Sequence, residues 1–157
     1  MKLGTLTLAL AMMAGTAMAE GVMAPQDVEF DDYGSVEQSL TGKPGDPENG
    51  LKVYASKGSG NCVACHKIDA IDAAFPGNVG PELTGAGDRW SEAELRGILV
   101  NSKKTFPGTV MPAYYKVDGF IRPGNAYTGK AADDSFGPLL TAWEIEDLVA
   151  FLSALKE

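Results

Sequence analysis

Both cysteines and the only histidine of this 157-residue chain fall within five positions, Cys62-Val63-Ala64-Cys65-His66. Two thiols three positions apart on one helical turn can add to the two vinyl groups of a haem. The next residue, His66, then supplies the proximal nitrogen to the iron. Two other chemistries use a Cys-x-x-Cys pair. A zinc site needs four ligands, and no further Cys or His exists to complete it. A thioredoxin-type dithiol opens a helix after a strand, and no βαβ pattern precedes Cys62. The spacing therefore predicts one covalently bound haem c per chain, held by Cys62 and Cys65.

A low-spin haem needs a second axial ligand. Six methionines are present, and four of them lie in the first nineteen residues. That leaves Met23, in an N-terminal arm, and Met111, followed by Pro112 well beyond the haem motif. A thioether favours ferrous iron and raises the potential. Met111 is the predicted ligand, with Lys103, Lys104 and Lys116 as the alternative donors and a packed core Met as its other role. With both axial positions filled, the chemistry is electron transfer. Peroxidase or gas-sensing roles would need an open iron. Arg89 and Trp90 are candidate donors to a haem propionate, their other roles being a solvated cation and a core ring. Tyr114 and Tyr115 follow the Met111 loop, to orient it or to pack.

The elements that would position these groups read as mainly α, three to four helices with no repeat. Asp46-Pro47 starts the first helix, as N-cap and first-turn proline. Leu51, Tyr54 and Ala55 form its expected buried stripe, with Val53 on its flank, and Gly58 to Gly60 end it. Residues 76–83 are a Pro/Gly loop. Ser91-x-x-Glu94 is a capping box opening a helix to about Val100, and Thr141-x-x-Glu144 opens the last one. Ile145, Leu148, Val149, Leu152 and Leu155 make its apolar face. Two segments have no such pattern. Residues 20–45 form an acidic arm, expected extended or wrapped over the surface. Residues 116–140 form a loop long for a small domain, which marks it as functional or partner-binding.

Residues 1–19 read as a secretory signal: Lys2, an apolar run from Leu3 to Ala14, and Ala17-Met18-Ala19 before Glu20. The run is too short to span a membrane and nothing later replaces it. No Cys follows it for lipidation. Covalent haem attachment occurs outside the bacterial cytoplasm, so a periplasmic location is expected. The organisation is then signal 1–19, arm 20–45 and cytochrome domain 46–157. The whole chain has 13 basic and 21 acidic residues, a charge of −8, which becomes −9 once Lys2 is removed. That balance argues against nucleic acid and is compatible with a basic partner.

The order of elements resembles a class I c-type cytochrome. In that family the first and last helices cross through a Gly and an aromatic, here Gly50 and Phe151. A prolyl carbonyl accepts the proximal imidazole N–H, here that of Pro81 after Gly80, although an ordinary loop proline would look the same. Four segments narrow the resemblance: Gly60 to His66, Pro76 to Leu83, Met111 to Tyr115, and Leu140 to Leu152. Together they resemble the X subunits of Sox thiosulfate-oxidation cytochromes. That resemblance implies a heterodimer with a larger haem-containing A subunit, an L-cysteine S-thiosulfotransferase that joins thiosulfate to a carrier-protein cysteine. The X subunit would be non-catalytic, with His66 and Met111 as axial pair, passing electrons to a small soluble cytochrome c. Loop 116–140 and the arm would contribute to the partner interface. The alternative is a free-standing periplasmic shuttle.

Overall fold

The structure, a computed structural model, describes residues 21–125, 127–133 and 135–157; the expected signal segment lies outside them. Four α-helices and two short 3-10 turns occur, with no strand among the described residues. We label the helices α1 (Pro47–Ala55), α2 (Ala86–Arg89), α3 (Glu92–Asn101) and α4 (Ala142–Ser153). The 3-10 turns are Pro25–Asp27 and Cys62–Ala64. This is the mainly α architecture expected from the sequence.

Each main helix starts where its chemistry dictates. The Asp46 carboxylate accepts from the Glu48 and Asn49 N–H groups at the head of α1. Ser91 with Glu94, and Thr141 with Glu144, form complete capping boxes on α3 and α4. Each satisfies orphan N–H groups that would otherwise cost about 1 kcal/mol apiece.

Helix α1 packs on α4, and α3 packs on α4 beside it. The first contact is close. A Cβ on Gly50 would lie 2.1 Å from the Asp147 carbonyl oxygen and 2.6 Å from Phe151 Cβ, so only glycine fits at the crossing. The buried face of α1 is Gly50, Val53 and Tyr54, at i, i+3, i+4. Leu51 and Ala55, expected inside, are exposed. The Gly50 crossing sets the rotation of α1 and turns Val53 inward instead.

The arm differs more from its expectation. Val36 and Leu40 are fully buried members of the central core, and Thr41 is buried with them. A buried ion pair anchors them. Arg96 on α3 donates from Nε and an Nη to the two carboxylate oxygens of Glu146 on α4, at 2.8 and 3.0 Å. Its other Nη donates to the Val36 carbonyl at 2.9 Å, and Glu146 accepts the Leu40 N–H at 2.8 Å. Beside it, Asp147 accepts from the Asp46 N–H and from Asn49 Nδ2. Two carboxylates of α4 thus tie the arm and α1 to the last helix.

Candidate haem site

The attachment turn is shaped by backbone before any cofactor is considered. Asn61 enters it at φ 49°, the left-handed region that Asn tolerates better than most residues. The Cys62 carbonyl then accepts N–H groups from Cys65 and His66, at 3.0 and 2.9 Å. The Pro/Gly segment runs alongside and is tied to the turn. Gly77, Gly80 and Leu83 donate their N–H groups to the carbonyls of Val63, Cys65 and Lys67, at 2.8, 2.8 and 2.9 Å. The approach is so close that a Cβ on Gly77 would sit 1.9 Å from the Ala64 oxygen.

This clamp orients His66. Its Nδ1 is 2.7 Å from the Pro81 carbonyl oxygen. A carbonyl only accepts, so Nδ1 carries the hydrogen and Nε2 keeps its lone pair. The ring lies against Gly80, where a Cβ would come within 2.3 Å of Cε1. Tyr54 holds the residue from behind, its hydroxyl donating to the His66 carbonyl at 2.7 Å.

His66, Cys62, Cys65 and Met111 all line one cavity of about 350 Å³. Leu95 and Leu99 of α3 and Leu148 and Leu152 of α4 contribute its apolar walls. Both thiols are free. Burial pushes the Cys62 thiol up to about 11, against a hydrogen bond with Tyr114 that lowers it. Burial likewise raises the Tyr114 phenol. An apolar cavity with two thiols, one imidazole lone pair and one thioether on its walls carries the donor set a covalent haem requires. Among the described residues no group of three or more His, Cys, Asp or Glu is placed to hold a bare metal ion.

The alternative ligands lie elsewhere. Met23 lines a separate cavity with the arm, and its carbonyl accepts from the Tyr115 hydroxyl at 2.6 Å. Lys104 sits over the Phe30 ring at 5.5 Å. Lys116 sits over Phe120 at 5.1 Å. Lys103 does not line the haem cavity, and its Nζ donates to the Met111 carbonyl. That carbonyl also accepts from the buried Ser102 hydroxyl at 2.9 Å, while the Met111 N–H donates to Thr109 Oγ1. The Met111 backbone is therefore fixed at both of its polar groups, by Ser102 and Thr109, which sequence reasoning missed, and by Lys103, which that reasoning treats only as an alternative ligand. Neither tyrosine performs that task. Tyr114 donates to the Gly60 carbonyl at 3.1 Å, on the attachment side.

Arg89 is not among the residues lining the cavity, although Trp90 is. Its guanidinium donates to the carbonyls of Thr84 and Glu82, at 2.7 and 3.0 Å, and lies 3.6 Å from the Glu157 carboxylate. Those partners turn it toward the loop before α2 and the C-terminus rather than into the site.

Residues 47–156 match the family model described as cytochrome c. The chain belongs to the cytochrome c family. A cytochrome c of Ulva intestinalis is 30% identical over 88 residues, covering 43% of this chain and 73% of its own. The solved structure of SoxXA from P. pantotrophus resembles the cytochrome at a TM-score of 0.82 with 55% identity. That match spans 87% of this chain and all of the neighbour's. The cytochrome is a monohaem electron-transfer protein with haem c bound covalently. No helix among its described residues is long and apolar enough to cross a membrane.

Proposed function

We propose that this cytochrome is the electron-accepting X subunit of a periplasmic Sox complex that oxidises thiosulfate. The observation that carries the reading is 55% identity to a SoxXA chain over that chain's full length. The cytochrome domain is taken as 46–157, with 20–45 as its arm and 1–19 as an export signal. Its partner is the larger haem-containing A subunit, and its electron acceptor a small soluble cytochrome c.

Haem c, when bound, supplies a one-electron ferric/ferrous couple. Cys62 and Cys65 would hold it through thioether bonds. His66 Nε2 and Met111 sulfur would be its iron ligands. Pro81 keeps the His66 lone pair aimed by accepting the Nδ1 hydrogen. The leucines of α3 and α4 exclude water and keep the local dielectric low, which tunes the potential. Both thiols of the chain are used in this way. None is left to carry a sulfane sulfur, which supports a non-catalytic role with the sulfur chemistry on the partner.

The test is purification of the mature protein from native periplasm, followed by addition of thiosulfate and the carrier protein. A one-to-one complex with a larger haem protein, and reduction of the Met-ligated haem on mixing, are expected. A lone monomer that thiosulfate leaves oxidised would instead make it a free-standing shuttle.

A further inference from the structure

The loop between residues 116 and 140 exposes Phe120, Ile121, Tyr127, Phe136 and Leu139, with Ile121 and Tyr127 wholly solvated. Large apolar side chains gathered in one segment mark a surface that is covered in the working molecule. A groove of about 540 Å³ separates this loop from the Met111 loop. One side of it is apolar, with Phe120 and Phe136 edge to face at 5.5 Å and Leu139 beyond them. Lys103, Lys116 and Arg122 supply its charge, and among the described residues no carboxylate lines it. Among the described residues none of these three cations forms an ion pair. Asp118 and Asp133 belong to the same loop but do not line the groove. Asp133 is occupied by the Ser135 N–H and hydroxyl.

In a chain of net charge −8 this is a local reversal of sign. The groove also shares Pro112 with the haem cavity, so it abuts the Met111 side of the site. We infer that this groove is the docking surface for the larger haem subunit, which meets it with an apolar ridge flanked by carboxylates. The inference rests on the reading given under Proposed function and specifies which face that partner uses. Charge complementarity selects an acidic partner surface here, where the overall acidity of the chain would select a basic one. The amount of exposed apolar side chain favours a lasting subunit contact over a brief encounter with an electron carrier, whose interfaces are small. The arm is not part of this face, since none of its described residues lines the groove.

The experiment uses the mature haem-loaded cytochrome and the purified larger haem subunit, with affinity measured by calorimetry. Ile121→Glu combined with Leu139→Glu should weaken the complex about tenfold or more, with the haem spectrum unchanged. Lys116→Glu combined with Arg122→Glu should weaken it and flatten its dependence on salt. Tyr33→Glu, on the exposed part of the arm, should bind within about twofold of wild type. Groove variants that bind as tightly as wild type overturn the inference and leave the subunit assignment standing. Variants that keep subunit affinity but slow electron delivery to a small acceptor cytochrome also overturn it, giving the groove to that carrier. A wild-type protein that does not bind the larger subunit overturns both.

Discussion

The Nδ1 atom of His66 lies 2.7 Å from the carbonyl oxygen of Pro81, and the imidazole rests directly on Gly80. The two neighbours act through backbone, so their side-chain chemistry matters unequally. Gly80→Ala would put a Cβ within 2.3 Å of the ring and force it off the Pro81 carbonyl. The expected outcome is a lower yield of haem-attached protein and a lower potential in what remains, read by absorption spectrum and redox titration. Pro81→Ala keeps the accepting carbonyl and should change the spectrum little.

Met111 and Met23 separate cleanly. Met111→Ala removes the only thioether that the described residues place on the haem cavity wall. The reduced protein should then bind carbon monoxide. Its potential should fall by on the order of 100 mV, within the roughly 0.8 V range that axial ligands span. Met23→Ala should leave both unchanged, because Met23 lines a different cavity. Retention of the native spectrum in Met111→Ala would assign the iron to another donor.

Breaking the Arg96–Glu146 pair is expected to be the most destabilising polar substitution. Both side chains are buried, at 6% and 4% exposure, so Glu146→Ala leaves the guanidinium with only the exposed Glu92 carboxylate, 4.0 Å away. A loss of about 3–5 kcal/mol in denaturant unfolding is expected. Replacing both residues with Met should recover part of it, since the charge and its desolvation cost disappear together while the Leu40 N–H and the Val36 carbonyl lose their partners.

Glu144 gives stability a pH dependence. Its burial raises the carboxyl pKa, but hydrogen bonds from the Thr141 N–H, Ser59 and the Thr141 hydroxyl outweigh that and hold it below its ordinary value. The folded state therefore prefers the ionised form. The contribution is complete above the unfolded pKa of about 4.3 and is lost as pH falls through the lower folded value. Thermal midpoints measured from pH 6 to pH 3 should fall less steeply in Glu144→Gln than in wild type.

Local chemistry was readable and long-range geometry was not. Cys62, Cys65 and His66 announce themselves by spacing, and the caps at Asp46, Ser91 and Thr141 by residue type, because each is a contact within a few positions. Met111 came from counting the methionines. The inward turn of Val53 in place of Leu51 depends on where α1 meets α4, which periodicity over nine residues does not fix. Val36 and Leu40 sit in an acidic stretch with no period, and their burial is set by Glu146, 106 positions after Leu40. Arg89 looked like a cofactor ligand because cations near such sites often are. Its commitment to Thr84, Glu82 and Glu157 depends on a turn and a chain end that no motif encodes.

The tie between Leu40 and Glu146 has a bearing on biogenesis. A polypeptide threaded through a secretion channel from its amino end cannot lock its first core residues until the final helix has also emerged. Exported as proposed above, the cytochrome would wait, open and accessible to the machinery that stitches in its porphyrin, until nearly the whole chain had been delivered.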